Sequence, residues 1–237
     1  MGQGSTARYL WLLGLALGAT YWFGAAARSG LGFAFLADLP SALVVSWKCA
    51  ATGALALSTF LATRGTRLQR LAVTFALIWF ADLVLALGQA IASGVVFTAA
   101  HLVAASAFAQ LDPRQQAKGP ALVLAGVVLA LALASLVTVW QLGGSPLFAI
   151  FPLFSAIATA LAARTTLPLA LVALGYGIFF LSDAIVVLDM TVSTGPRSWG
   201  WLSWLTYFGG LALLARGLAV AAGRGVIGPE AREAGAG

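Results

Sequence analysis

Runs of about twenty apolar residues, the length that a helix needs to cross a bilayer, recur along this chain between residues 8 and 221. Hydrophobic residues make up 61% of the 237 positions, and charged residues make up only 8%. A soluble domain has about a quarter of its residues charged. The sequence therefore predicts an all-α protein that crosses a membrane several times, and it excludes a soluble globule.

Turn residues and charges divide these runs into eight predicted transmembrane helices, which form a single domain over residues 1–222. The first run has no clear small-residue cleavage site before Arg28, so we interpret it as a retained helix rather than a signal peptide. The last residues, 223–237, are predicted to form a disordered cytoplasmic tail. The predicted spans are residues 8–27, 38–61, 68–87, 91–110, 120–140, 146–163, 167–188 and 199–221.

The basic residues indicate the orientation of the chain in the membrane. Cytoplasmic connections are enriched in Lys and Arg, and one side of the predicted bundle holds most of them. We therefore predict a multi-pass plasma-membrane protein with both termini in the cytoplasm. Because the charges are spread over loops, the net charge of +6 does not indicate a nucleic-acid partner. The predicted cytoplasmic set is Arg8, Arg64, Arg67, Arg70, Arg114, Lys118, Arg164, Arg216, Arg224 and Arg232, and the opposite set is Arg28 and Arg197.

Several other patterns favour structural roles. Gly14 and Gly18 are predicted to permit close helix packing. Trp199, Trp201 and Trp204 are predicted to lie in the aromatic belt at the membrane interface. Neither a glycine-rich phosphate loop nor a Cys/His metal spacing appears, so no cofactor is predicted. The oligomeric state stays open.

Four ionisable residues lie inside predicted spans, where a charged side chain that faced lipid would cost about 2.5–3.5 kcal/mol. These residues are Lys48, Asp82, the only histidine, His101, and Asp183. Asp82 and His101 lie on two spans joined by a short connection that Gln89, Ser93 and Gly94 mark, so the spans run antiparallel. At about 1.5 Å of rise per residue, all four residues reach neighbouring depths. We therefore expect one buried cluster.

Further polar side chains lie at compatible depths on the last two spans. Tyr176 and Asp183 are seven residues apart on the seventh span and share a helix face, and Ser182 is adjacent. Tyr207 on the eighth span lies at a depth from which its phenol can reach Asp183. Asp38 and Asp189 are predicted near span ends, where solvation is easy, so we leave both out of the cluster.

At these residues the chain resembles the YhhN-like family of eight-helix membrane proteins, whose animal members are lysoplasmalogenases. The resemblance covers nearly the whole chain and depends on the order and spacing of several short patterns. Cys49 stands where the family has proline, Ala81 where it has glycine and Ala104 where it tends to have tyrosine. The matching positions are Lys48, Asp82, Gly94, Phe97, His101, Gly177, Phe180, Ser182, Asp183 and Tyr207.

The resemblance implies a hydrolase that cleaves the vinyl ether bond of a lysoplasmalogen to a fatty aldehyde and a glycerophospho-base. Its partners are then a lysophospholipid substrate and the bilayer. Vinyl ethers hydrolyse by protonation of the outer alkene carbon and capture of the oxocarbenium ion by water, which requires an acid, a counter-charge and a base. We predict Asp82, Asp183 and His101 as catalytic residues. The predicted substrate-binding residues are Lys48, Tyr176, Ser182 and Tyr207.

Other functions that use the same groups stay open at this point. A proton-coupled transporter would use the cluster as a relay, although the two halves of the chain show no paired helix breaks. A lipid-binding protein would need only the cavity. A retinal photoreceptor would need a Schiff-base lysine such as Lys48, whose place on the second span argues against it. The Asp and His side chains would also suit a metal that activates water.

Overall fold

The computed structural model describes residues 3–111, 119–143, 146–192 and 199–223. The described residues form helices and no β-strand. A short α2, Ala34–Ala37, precedes the second long helix, and a π-helical turn, Leu169–Ala173, leads into the seventh. The long helices are α1 Gln3–Arg28, α3 Ser41–Thr63, α4 Gln69–Ala86, α5 Ala90–Ala109, α6 Gly119–Gln141, α7 Pro146–Arg164, α8 Leu174–Val192 and α9 Gly200–Gly223.

The prediction of an all-α, multi-pass membrane protein is confirmed. Within the described ranges, seven helices are long and apolar enough to cross a membrane, and Pro152–Arg164 of α7 is a shorter apolar helix. The residues beyond α9, predicted as a disordered tail, lie outside the described residues. So do Arg114, Lys118 and Arg197 among the charges used for orientation.

Two predicted boundaries were wrong in ways that affect the site. The turn between α4 and α5 covers residues 87–89, so Ser93 and Gly94, which we expected to mark it, lie inside α5. The seventh predicted span was to end at residue 188, whereas α8 continues to Val192. Asp189 is therefore inside a helix and is only 2% exposed, not near a solvated end.

Six helices pack in a ring around the centre of the protein. In order around the ring, α3, α4, α5, α7, α8 and α9 each pack against the next, and α9 packs back against α3. Helix α1 packs outside on α3 and α9, and α6 packs outside on α7 and α8. Side chains that point into this ring are shielded from lipid by a complete layer of helices.

Glycines set the closest helix approaches within the ring. A Cβ atom on Gly210 of α9 would lie 2.6 Å from the Gly175 carbonyl oxygen and 2.6 Å from the Phe179 backbone nitrogen of α8. A Cβ atom on Gly18 of α1 would lie 2.1 Å from the Phe208 ring. The prediction of close packing at Gly18 is confirmed. These contacts leave no room for a side chain, so they fix the position of α9 between α1 and α8.

We expect Gly210→Ala to lower the free energy of unfolding by about 1–3 kcal/mol, the usual cost of overpacking, because its methyl group meets α8 backbone. Gly209→Ala is the matched control, since a Cβ atom there meets nothing within 4 Å and alanine favours the helix. Thermal unfolding of both variants in detergent measures the difference. Equal stability of the two variants would contradict this account of the α8–α9 contact.

Candidate active site

A cavity of about 500 Å³ opens among the ends of six helices. It is lined by the C-terminal halves of α1, α4 and α8 and the N-terminal halves of α3, α5 and α9, so these ends lie on one side of the bundle. Lys48 and Tyr207 each follow the first residue of their helix by seven positions, which places them about 10 Å below that end. The cavity thus reaches two turns into the protein.

The first polar group in the cavity joins three helices through Asp82 of α4. Lys48 of α3 donates to Asp82 Oδ1 at 2.6 Å, and the Tyr207 hydroxyl of α9 donates to Asp82 Oδ2 at 2.5 Å. The Asp82 side chain is 1% exposed and that of Lys48 is 23% exposed. Both oxygens of the carboxylate therefore accept a hydrogen bond, and one donor carries the opposite charge.

The second polar group is built on Asp183 of α8 and His101 of α5. His101 Nε2 and Asp183 Oδ2 lie 3.3 Å apart, with side-chain exposures of 0% and 6%. Their alignment does not meet that of a hydrogen bond, and neither atom has another hydrogen-bond partner within the described ranges. The other imidazole nitrogen, Nδ1, lies 2.8 Å from the Tyr176 hydroxyl. The Asp183–His101 contact is therefore less constrained by hydrogen bonds than the contacts of Asp82.

Aromatic rings close the cavity below these two groups. The ring of Phe179, which is 0% exposed, lies 5.4 Å from the His101 ring, 5.7 Å from the Tyr176 ring and 5.4 Å from the Tyr207 ring, measured between centroids. The two polar groups thus lie on either side of one buried phenylalanine. Beneath the carboxylates the protein is packed with rings.

Contacts away from the carboxylates hold the site helices in position. The Ser93 hydroxyl of α5 donates to the carbonyl oxygen of Ala81, which precedes Asp82 on α4, at 2.9 Å. Trp204 Nε1 of α9 donates to the Gly18 carbonyl oxygen of α1 at 2.9 Å. The Trp204 side chain lies in the core, with the residue 5% exposed. The prediction that Trp204 belongs to the interfacial belt was therefore wrong, because its side chain is buried in the protein and lines the cavity.

The structure brings the predicted ionisable residues to one cavity but divides them into two groups. Lys48, Asp82 and Asp183 line the cavity, and His101 lies directly behind Asp183. The expectation that Tyr207 would reach Asp183 was wrong, because its hydroxyl bonds to Asp82 instead.

The predicted substrate-binding residues differ in their access to the cavity. Lys48, Ser182 and Tyr207 line it, and Ser182 Oγ lies 3.4 Å from the Ser203 hydroxyl. Tyr176 is 0% exposed and contacts His101, on the far side of that ring from the cavity. Its role as a substrate contact stays a prediction.

Sequence reasoning missed three residues of this site. Asp189 lines the cavity near its mouth. It follows Ser182 by seven residues, a spacing that indicates the same helix face, but the predicted span ended at residue 188 and so left Asp189 out. Ser93 and Trp204 gave no such signal, because their partners are backbone carbonyls of other helices, which carry no side-chain pattern. Among the residues that the structure describes, no three Asp, Glu, His or Cys side chains are placed to share a metal ion.

A comparison with protein-family models gives one match. The model of the YhhN family matches residues 43–218, a range that contains both carboxylate groups and all their partners described above. No curated protein and no solved structure matches the chain.

We expect either Lys48→Met or Asp82→Asn to destabilise the fold by about 3 kcal/mol, the low end for breaking a buried ion pair, since each leaves one buried group without its partner. The double variant should lose less than the sum of the two single losses. Thermal unfolding in detergent measures all three. Asp38→Asn, at an exposed carboxylate, is the control. Additive losses would show that the two side chains do not depend on each other.

Proposed function

The chain belongs to the YhhN family, and from this membership and the buried site we propose that it is a membrane-embedded lysoplasmalogenase. It would hydrolyse the vinyl ether bond of a lysoplasmenylethanolamine or lysoplasmenylcholine to a fatty aldehyde and a glycerophospho-base. The observation that carries the proposal is that two buried carboxylates on one cavity have different partners. Such a difference allows one carboxyl group to act as an acid while the other stays charged.

Asp82 supplies the counter-charge in this proposal. Lys48 and Tyr207 donate to its two oxygens, and hydrogen bonds to a charged carboxylate favour the charged form. When the substrate becomes an oxocarbenium ion, a fixed negative charge beside it lowers the energy of that state. Lys48 donates to Asp82, so its positive charge balances the negative charge of the carboxylate when the cavity holds no substrate.

Asp183 and His101 transfer the proton that starts the reaction in this proposal. Because the Tyr176 hydroxyl can donate to His101 Nδ1 or accept from it, the proton between Asp183 and His101 can reside on either of them. We assign the acid to Asp183, which lines the cavity and transfers a proton to the outer alkene carbon of the vinyl ether. His101 then returns that carboxylate to its starting state.

Water completes the reaction in this scheme. The water oxygen adds to the carbon that carries the ether oxygen, and one water proton passes to the Asp183–His101 pair. The product of this addition is a hemiacetal. The hemiacetal then breaks its carbon–oxygen bond to the glycerol, releasing the aldehyde and the alcohol. One water is consumed for each lipid cleaved, and the proton used in the first step is regenerated. Ser182 and Ser203, which lie together on the cavity wall, are suited to hold this water.

We also propose that α7 crosses the membrane, which gives eight spans with both termini in the cytoplasm and a cavity open to the outer leaflet. The basic residues support this orientation: Arg8, Arg64, Arg70 and Arg164 lie towards the end of the bundle opposite the cavity, and Arg28 lines the cavity.

Labelling of single cysteines with a membrane-impermeant thiol reagent tests this topology in a Cys49→Ala background. Leu142→Cys, after α6, should be labelled in intact cells, and Thr166→Cys, after α7, only in permeabilised cells; both positions are exposed. Gly4→Cys is the reference for the cytoplasmic side. Labelling of Thr166→Cys in intact cells would contradict a crossing by α7.

We expect Asp82→Asn and Asp183→Asn each to lower kcat for lysoplasmenylethanolamine by at least about 100-fold, the usual contribution of a positioned acid or base. Release of fatty aldehyde by the purified proteins measures this, and the corresponding ester lysolipid controls for vinyl ether specificity. Asp38→Asn, at an exposed carboxylate, should keep full activity. Wild-type activity in both cavity variants would contradict the assignment. Activity that a chelator removes would show that a metal activates the water instead.

A further inference from the structure

One face of α5 and one face of α8 border the cavity with the same spacing. On α5 the lining residues Gly94 and Phe97 share a face with His101, which lies behind Asp183, and on α8 the lining residues of one face are Asp183, Val186 and Met190. In both helices the successive positions are three and then four residues apart along the chain, which places them on one helix face. The two faces meet at the 3.3 Å contact between His101 and Asp183.

From that contact the two faces rise together towards the open end of the cavity. Gly94 lies seven residues from His101, and Met190 lies seven residues from Asp183, so both are about 10 Å higher. Between them Phe97 on one side and Val186 on the other give the lining apolar side chains, and Ser93 and Asp189 line the cavity at the neighbouring positions of the two helices. A Cβ atom on Gly94 would meet nothing within 4 Å. Gly94 therefore leaves open space between the two faces, unlike Gly18 and Gly210, which lie where another helix packs closely.

We propose that this slot, formed by Gly94, Phe97, Val186 and Met190, holds the hydrocarbon chain of the lipid substrate, an inference that rests on the proposed function. The rings of Phe179, Tyr176 and His101 close the way below the carboxylates. The other side of the mouth is polar, with Arg28 of α1, Ser29 directly after that helix, and Ser203 of α9. The apolar slot is thus the favourable place for a chain among the described walls of the cavity.

The slot also explains how the reacting bond reaches the carboxylates. The vinyl ether of a lysoplasmalogen lies at the junction between its head group and its chain. A lipid bent at this junction places the head group along the polar side, the chain along the α5–α8 side and the vinyl ether at the deepest point. A chain that spans one leaflet is about 15 Å long, half of the hydrocarbon thickness, so it extends beyond Gly94 and Met190. At this end of α4 and α5, Leu87 and Ile91 are 72% and 75% exposed.

The test fills the slot by substitution at Gly94. Gly94→Phe places a ring in the path of the chain, whereas Gly94→Ala adds only a methyl group, and neither side chain starts against a neighbour. Gly126→Phe on α6 is the matched control, because a Cβ atom there also meets nothing within 4 Å and Gly126 does not line the cavity. Gly94→Leu serves in place of Gly94→Phe if the larger variant is not monodisperse in detergent.

Binding is measured with a hexadecyl lysophospholipid whose saturated ether cannot be hydrolysed. We expect wild type and Gly126→Phe to bind it with similar Kd, Gly94→Phe to bind it at least about tenfold more weakly, and the smaller Gly94→Ala to weaken binding less than Gly94→Phe. Wild-type affinity in Gly94→Phe, or a failure of the wild type to bind, would overturn the proposed slot.

Hydrolysis is measured in parallel with hexadecenyl and butenyl lysoplasmalogens. Gly94→Phe should lose kcat/KM for the hexadecenyl substrate by at least about tenfold and keep it for the butenyl substrate, whose chain does not reach the slot. Equal losses for both chains would overturn the slot. If the variants differ in binding as expected but the wild type releases no aldehyde, the slot stands and the proposed function fails.

Discussion

The contact between Lys48 and Asp82 is the interaction on which the site depends, because an isolated charge inside a membrane protein is costly. Lys48 comes from α3 and Asp82 from α4, and the Tyr207 hydroxyl adds α9 to the same carboxylate. One neutral pair therefore ties three helices of the ring together. Asp183 and His101 do the same for α8 and α5 on the other side of Phe179. The ring exists around these groups because each needs partners from different helices.

The division into two groups gives the two carboxylates different chemistry. Asp82 accepts from a cation and a phenol, so both of its oxygens are engaged by donors. Asp183 Oδ2 lies 3.3 Å from an imidazole nitrogen, out of hydrogen-bond alignment, and has no hydrogen-bond partner among the described residues. A reaction that forms a cation by protonation is favoured by an acid and a fixed negative charge at one place. The shared position of the two carboxylates on the cavity is what supports the proposed acid-catalysed hydrolysis of an ether lipid.

Glycine serves two opposite purposes in this bundle. Gly18 and Gly210 allow backbones and rings to approach where any side chain would collide, and these approaches position Trp204 and Tyr207 on α9. Gly94 lies beside open space, in the slot that we propose for the lipid chain. Sequence spacing alone does not separate these cases, since the difference is the distance from each Cβ direction to another helix.

Much of this protein follows from its sequence alone. Apolar runs of bilayer length determine membrane helices, and the cost of a charge in lipid determines that Lys48, Asp82, His101 and Asp183 must turn inward. The tertiary structure decided which of them pair: Asp82 and His101 are on consecutive helices that pack together, yet Asp82 bonds to Lys48 of α3 and Tyr207 of α9, and His101 contacts Asp183 and Tyr176 of α8. Depth follows from the rise along one helix, whereas a partner depends on how the helices are arranged around their common centre, and no single span encodes that arrangement.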